Sequence, residues 1–155
     1  MYLGIDPGIR KLGYALIYDD LTIKDAGILL YEKKSPDRTQ SFSRFLDIYN
    51  FFDELTDQNS ISVCGIEKLF FTKYNQANAE FVYWVRAILL LLFMKKQINY
   101  KELSPIELKK YITWNWKANK DLIKRYINWI FGLKDDIKYS DAADALWLAF
   151  IVKKI

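Results

Sequence analysis

The sequence predicts an α/β domain built on a mixed five-stranded sheet flanked by helices. Three observations carry that prediction. Three short apolar runs in the first 31 residues are joined by turn signals, as in an antiparallel meander. Two later runs of strand length, 61–67 and 98–103, each follow a long stretch of helical periodicity, as in crossover-linked parallel strands. The chain beyond 103 reads as helices, with no internal repeat, low-complexity tract or linker, so residues 1–155 are expected to form a single domain.

In order, Tyr2-Leu3-Gly4-Ile5-Asp6 reads as a buried strand ending in an acid, and Pro7-Gly8 as a tight turn. Residues 12–18 make a second strand, Asp19-Asp20 a turn, and 21–31 a third strand, irregular at Gly27. A loop at 33–37 leads to 38–56, where Phe42, Phe45, Leu46, Tyr49, Phe52 and Leu55 step by three and four along an amphipathic helix. The run 61–67 is a strand ending in Glu67, parallel to its neighbour because a helical crossover delivers it. Phe70-Phe71-Thr72-Lys73-Tyr74 is an aromatic-rich loop. Residues 75–96 form a long helix, very apolar from Phe81 onward, and 98–103 a fifth strand. Pro105 after Ser104 suits the first position of a helix reaching about Thr113. A connector holds Trp114 and Trp116, and 119–131 is a helix stopped by Gly132. Ser140, a favoured N-cap residue, starts the last helix, which runs through Leu146, Phe150 and Val152.

Composition narrows the chemistry. Apolar residues make up 52% and aromatics 17%, which excludes a disordered chain. There is no histidine, so imidazole catalysis and histidine-held metals are excluded, and any metal must be bound by oxygen, favouring Mg²⁺ or Mn²⁺ over zinc. The single cysteine, Cys64, fits a reducing compartment. No apolar run, Ala87 to Met94 included, exceeds 8 residues, far short of the roughly 20 a membrane span needs. Met1 leads straight into a strand without a signal-like segment, so the expected location is the cytoplasm.

The net charge of +4 is unevenly spread. Residues 1–67 carry 7 basic and 11 acidic side chains, whereas 68–138 carry 14 basic and 6 acidic. A basic middle suits a polyanion, nucleic acid first; a solvated lysine-rich surface accounts for the same pattern.

Two strands end in carboxylates, Asp6 and Glu67, at the edge where α/β proteins build their sites. Asp141 and Asp144, three apart, share one face near the positive end of the last helix. They can simply complement the helix dipole, or they can join Asp6 and Glu67. Four converging carboxylates repel one another without a cation, and they make an all-oxygen site suited to two Mg²⁺ ions and in-line phosphodiester hydrolysis.

Three blocks in this order carry a resemblance. Gly4-Ile5-Asp6-Pro7-Gly8-Ile9-Arg10 with Gly13-Tyr14, then Gly65-Ile66-Glu67-Lys68-Leu69-Phe70, then Asp141-Ala142-Ala143-Asp144-Ala145-Leu146 closely resemble the RuvC family of Holliday-junction resolvases. The resemblance covers nearly the whole chain and implies an RNase H-like fold. It implies an Mg²⁺-dependent homodimer, with Mn²⁺ as a substitute, that cuts two like-polarity strands of a four-way junction. The family's catalytic and metal-binding acids map onto Asp6, Glu67, Asp141 and Asp144. Its junction-probing phenylalanine maps onto Phe70, a lysine after it onto Lys73, and two lysines important for catalysis or DNA contact onto Lys109 and Lys120. Lys117, beside the last of these, joins them as a phosphate contact. The dimer interface falls to the helix 75–96, and a branch-migration motor is a possible partner.

The chain also departs from the family pattern. Trp114-Asn115-Trp116 replaces a common Gly-x-Gly, and Val85-Arg86-Ala87 replaces Ala-Arg-Gly. Glycine lets backbone amides approach phosphates, whereas tryptophans pack or stack. Core packing is the ordinary reading of Phe70 and Phe71, but the polar, basic flank of Lys68, Thr72 and Lys73 and the family match favour an exposed Phe70, with Phe71 turned inward. Two other functions fit the residues: an RNase H-like nuclease acting on other branched DNA or RNA–DNA hybrids, and a junction-binding protein without catalysis, which the full set of four acids disfavours.

Overall fold

Five strands pair into one mixed sheet. β1 (Tyr2–Asp6), β2 (Lys11–Ile17) and β3 (Ile23–Leu30) form the expected antiparallel meander. β4 (Val63–Glu67) then lies parallel to β1, and β5 (Asn99–Leu103) parallel to β4, giving the order β3-β2-β1-β4-β5. The computed structural model describes residues 1–8, 10–31, 38–69, 76–113, 120–134 and 137–155, without the side chains of residues 38, 76–78, 109, 112, 113 and 120.

Helices cover both faces. α1 (Arg38–Gln58) and α2 (Gln76–Lys95) pack on one side, where Leu3, Ile5, Cys64 and Ile66 meet Phe45, Ile48, Phe52, Val85, Leu89 and Phe93. α5 (Ser140–Lys154) crosses β1, β2 and β4 on the other side, flanked by α3 (Pro105–Thr113) and α4 (Lys120–Phe131). α3 opens on a capping box: the Ser104 N–H donates to Glu107 Oε2 at 2.8 Å, and the Glu107 N–H donates to Ser104 Oγ at 3.2 Å. α5 is enclosed on most of its circumference, with Ala142, Ala145, Leu146, Leu148, Ala149 and Ile151 all buried. The chain thus has a polar-faced α1 and a nearly all-apolar α5, which is the buried central helix of this fold.

The structure corrects three details. The third strand is irregular at Lys24, not at Gly27: the β2–β3 register shifts between Leu16 and Ile17, while Gly27 stays paired with Tyr14. Gly27 instead makes room for the Tyr14 ring, whose hydroxyl would be 3.1 Å from a Cβ there. The second hairpin turn is wider than Asp19-Asp20, because Leu21 takes a φ of 71° and the Tyr18 N–H closes the turn on Thr22 O at 2.9 Å. Ser140 is the first helical residue, not the N-cap. Tyr139 occupies the cap position in extended conformation without a side-chain cap bond, and the Ser140 hydroxyl lies 3.4 Å from Asp141 Oδ2. Among the described residues no helix is long and apolar enough to cross a membrane.

Candidate active site

Alternation along a strand puts Gly4 and Asp6 on one face of β1, and Gly65 and Glu67 on one face of β4. The opposite faces belong to the α1–α2 core, so these four residues look toward α5. Gly4 and Gly65 are paired across the ladder. A Cβ on Gly4 would stand 2.6 Å from Ala149 N and overlap the Ala145 carbonyl; on Gly65 it would stand 2.7 Å from Val152 Cγ1 and 2.9 Å from Leu148 O. Gly13 of β2, paired with Asp6, has no room either: a Cβ there would overlap the Asp141 carbonyl and stand 3.0 Å from Ala142 N. Three strands therefore offer backbone to α5 at close range. That brings the start of the helix to the ends of β1 and β4.

Asp6, Glu67, Asp141 and Asp144 consequently line one cleft of about 370 Å³. Pro105 and Leu108 of α3, Ile123 of α4 and Trp147 of α5 wall it. The Trp147 indole N–H donates to Leu108 O at 3.3 Å and so joins two walls. Lys124 lines a smaller adjoining space with Ser140, Ala143 and Asp144.

The carboxylates act on one another. Burial first, then a hydrogen bond with the Glu67 carboxyl, then the charges of Glu67, Asp144 and Asp141, push the Asp6 carboxyl up to about 9. A proton on the Asp6 carboxyl relieves part of that repulsion. Among the described residues, no three Asp, Glu, Cys or His side chains are already closed around a single ion-sized point. The donor set is nevertheless anionic, all-oxygen and partly buried, which fits a hard divalent cation such as Mg²⁺ or Mn²⁺.

The four predicted acids are thus brought together, from three elements far apart in sequence. Of the residues expected to contact DNA, Lys109 lies on α3 and Lys120 is the first residue of α4, their side chains not described. Phe70, Lys73 and Lys117 fall outside the described residues, as do Trp114 and Trp116. What the sequence reading missed is the supporting role of glycine. The signal was there, since a glycine stands two residues before each strand-end acid, in Gly4-Ile5-Asp6 and Gly65-Ile66-Glu67.

Comparison with known proteins points one way. The family model described as crossover junction endodeoxyribonuclease RuvC matches residues 2–152. The RuvC crossover junction endodeoxyribonuclease of Brachyspira hyodysenteriae is 34% identical over 95% of this chain and 89% of its own length. That of Helicobacter pylori is 31% identical over 95% of this chain and 92% of its own. In fold, the chain resembles Thermus thermophilus RuvC in complex with a Holliday junction substrate, with a TM-score of 0.81 at 22% identity, covering 96% of this chain and 90% of that one. The sheet and its flanking helices are therefore RNase H-like.

Proposed function

We propose how this chain works from one premise: it belongs to the RuvC family, the crossover junction endodeoxyribonucleases. It is a resolvase of Holliday junctions, an endonuclease of DNA recombination and repair, and its family is one of metal-dependent nucleases. The observation that carries the site is the convergence of Asp6, Glu67, Asp141 and Asp144 on one cleft. Those four acids hold the metal, Mg²⁺ with Mn²⁺ as a substitute, as two ions per site. When bound, the metal supplies charge that activates a water and stabilises the leaving oxygen of the cut phosphodiester.

The chain's own residues do the rest. Asp6 and Glu67, fixed at strand ends, and Asp141 and Asp144, fixed on a buried helix, present their oxygens without reorganisation of the backbone. Pro105, Leu108, Ile123 and Trp147 add apolar side chains to the lining of the cleft that holds the acids. Lys109, next to Leu108 of that lining in sequence, and Lys120, at the start of the helix that carries Ile123, are assigned to contacts with the phosphate backbone. Phe70, three residues past Glu67, stacks on a base opened at the junction, and Lys73 and Lys117 add phosphate contacts.

Residues 1–155 act as one nuclease domain, in a homodimer whose two sites make paired cuts. Support for the dimer comes from α2, where Tyr83, Ala87, Leu91 and Met94 form an exposed stripe; Leu91 is 65% and Met94 69% exposed. A two-fold contact would bury this stripe against its own copy. A branch-migration motor is a further partner, and the cytoplasm the place of work. Cleavage of a synthetic four-way junction, a flap, a duplex and an RNA–DNA hybrid, side by side in Mg²⁺, tests the substrate. Preference for the four-way junction by about tenfold or more is expected, and equal or better cutting of the hybrid would overturn it.

A further inference from the structure

The β1–β4 ladder ends at Ile5 and Ile66, whereas the β4–β5 ladder runs on to Glu67 and Leu103. Glu67 therefore stands one residue past its last partner on β1. Lys68 still donates to Leu103 O at 2.8 Å on the β5 side. The Glu67 carbonyl accepts instead from Nη1 of Arg86, reaching down from α2. Nη2 of the same guanidinium donates to Glu102 Oε1 of β5 at 2.8 Å, an ion pair in which the Arg86 side chain is 7% exposed and that of Glu102 33%. A buried guanidinium is costly unless its donors are satisfied. Here its planar fork spans two strands, with one tine on the residue that carries a candidate metal ligand.

We propose that Arg86 is a positioning residue for metal binding: by holding the Glu67 main chain against β5 it fixes where the Glu67 carboxylate enters the cleft. Arg86 does not line that cleft but a separate space shared with Lys68, Leu69 and Glu102, so at the acids it acts through Glu67. The core does not require it to be an arginine. Val85 and Leu89 beside it are fully buried apolar side chains, and Leu or Met would fill the space without a charge to satisfy. The fork is what an apolar residue cannot supply. This inference rests on the reading of Glu67 as a metal-binding acid.

Calorimetric titration of Mn²⁺ into the protein is the test, with single-turnover junction cleavage in Mg²⁺ beside it. R86Q is expected to weaken Mn²⁺ binding about 10- to 100-fold, as loss of a ligand-orienting partner does elsewhere, and to slow cleavage. Junction affinity in Ca²⁺ should stay within about threefold, because the side chain is buried and does not line the cleft. R86K, which keeps the charge but not the fork, should fall between the two. R86Q that folds and binds Mn²⁺ as the wild type does overturns the proposal. If R86Q does not fold, E102Q decides, since it loosens the fork at a partly exposed partner: about three- to tenfold weaker Mn²⁺ binding is expected, and unchanged binding overturns it. A wild type that neither binds Mn²⁺ nor cuts would instead count against the metal-nuclease reading itself.

Discussion

Gly13 has no side chain where the carbonyl of Asp141 lies: a Cβ on this strand residue would overlap that oxygen. Gly13 is also the ladder partner of Asp6. One absent methyl group thus sets the distance between the strand that carries one acid and the helix that carries two. Gly13→Ala should push the start of α5 off the sheet. We expect a loss of roughly 1–3 kcal/mol of stability in chemical denaturation, and a loss of Mg²⁺-dependent cleavage larger than that destabilisation alone would give.

The pH dependence of stability follows from Asp6. Its carboxyl is raised from 3.8 to about 9 in the folded chain, so between those values the folded state holds a proton that the unfolded state has released. This stabilising contribution is full below about pH 4 and is lost as pH rises through about 9. Thermal denaturation in EDTA should show stability declining across that window. Asp6→Asn should flatten the slope and raise the Tm at pH 8 by roughly 3–8 °C; an unchanged slope contradicts a protonated Asp6 in the folded chain. Because the cation competes with that proton, Mn²⁺ affinity should increase with pH over the same range.

Salt tests the phosphate contacts. Junction affinity, measured in Ca²⁺, should fall by on the order of 10³-fold or more between 50 and 200 mM salt if six or more phosphates are neutralised. Lys109→Ala and Lys120→Ala should each lower the slope by about one. A flat response would remove the basic segment 68–138 from the interface.

The α2 stripe makes a prediction about assembly. Leu91→Glu with Met94→Glu puts like charges on both sides of any two-fold contact there, so sedimentation should show a dimer for the wild type and a monomer for the double variant. The fold should survive, because both side chains are exposed. A wild-type monomer, or a double variant that stays dimeric, rules out this face as the interface.

The sheet and its helices were legible because each element has its own period and its own punctuation: Pro7-Gly8, Ser104-Pro105 and Gly132 lie where the sequence pattern puts boundaries. The gathering of Asp6, Glu67, Asp141 and Asp144 was legible only in part. Strand ends are readable from sequence, but whether a distant helix lands on them depends on the close approach that Gly4, Gly13 and Gly65 permit, a tertiary fact. The Ser140 cap was misread because serine favours the cap position, whereas here Tyr139 occupies it and Ser140 turns toward Asp141. The link between Arg86 and Glu67 could not be read at all, since a lone arginine in an apolar helix has no periodic signature.

The most direct test of the account is cleavage of a synthetic four-way junction by the wild type and Asp144→Asn, with Mg²⁺, beside a binding assay in Ca²⁺. The wild type is expected to make paired, symmetric cuts. The variant is expected to cut slower by on the order of 10³-fold or more, with junction affinity within a few fold, because the acids work as a unit. A wild type that binds the junction yet never cuts it in Mg²⁺ or Mn²⁺, or an Asp144→Asn variant that cuts at the wild-type rate, would contradict it.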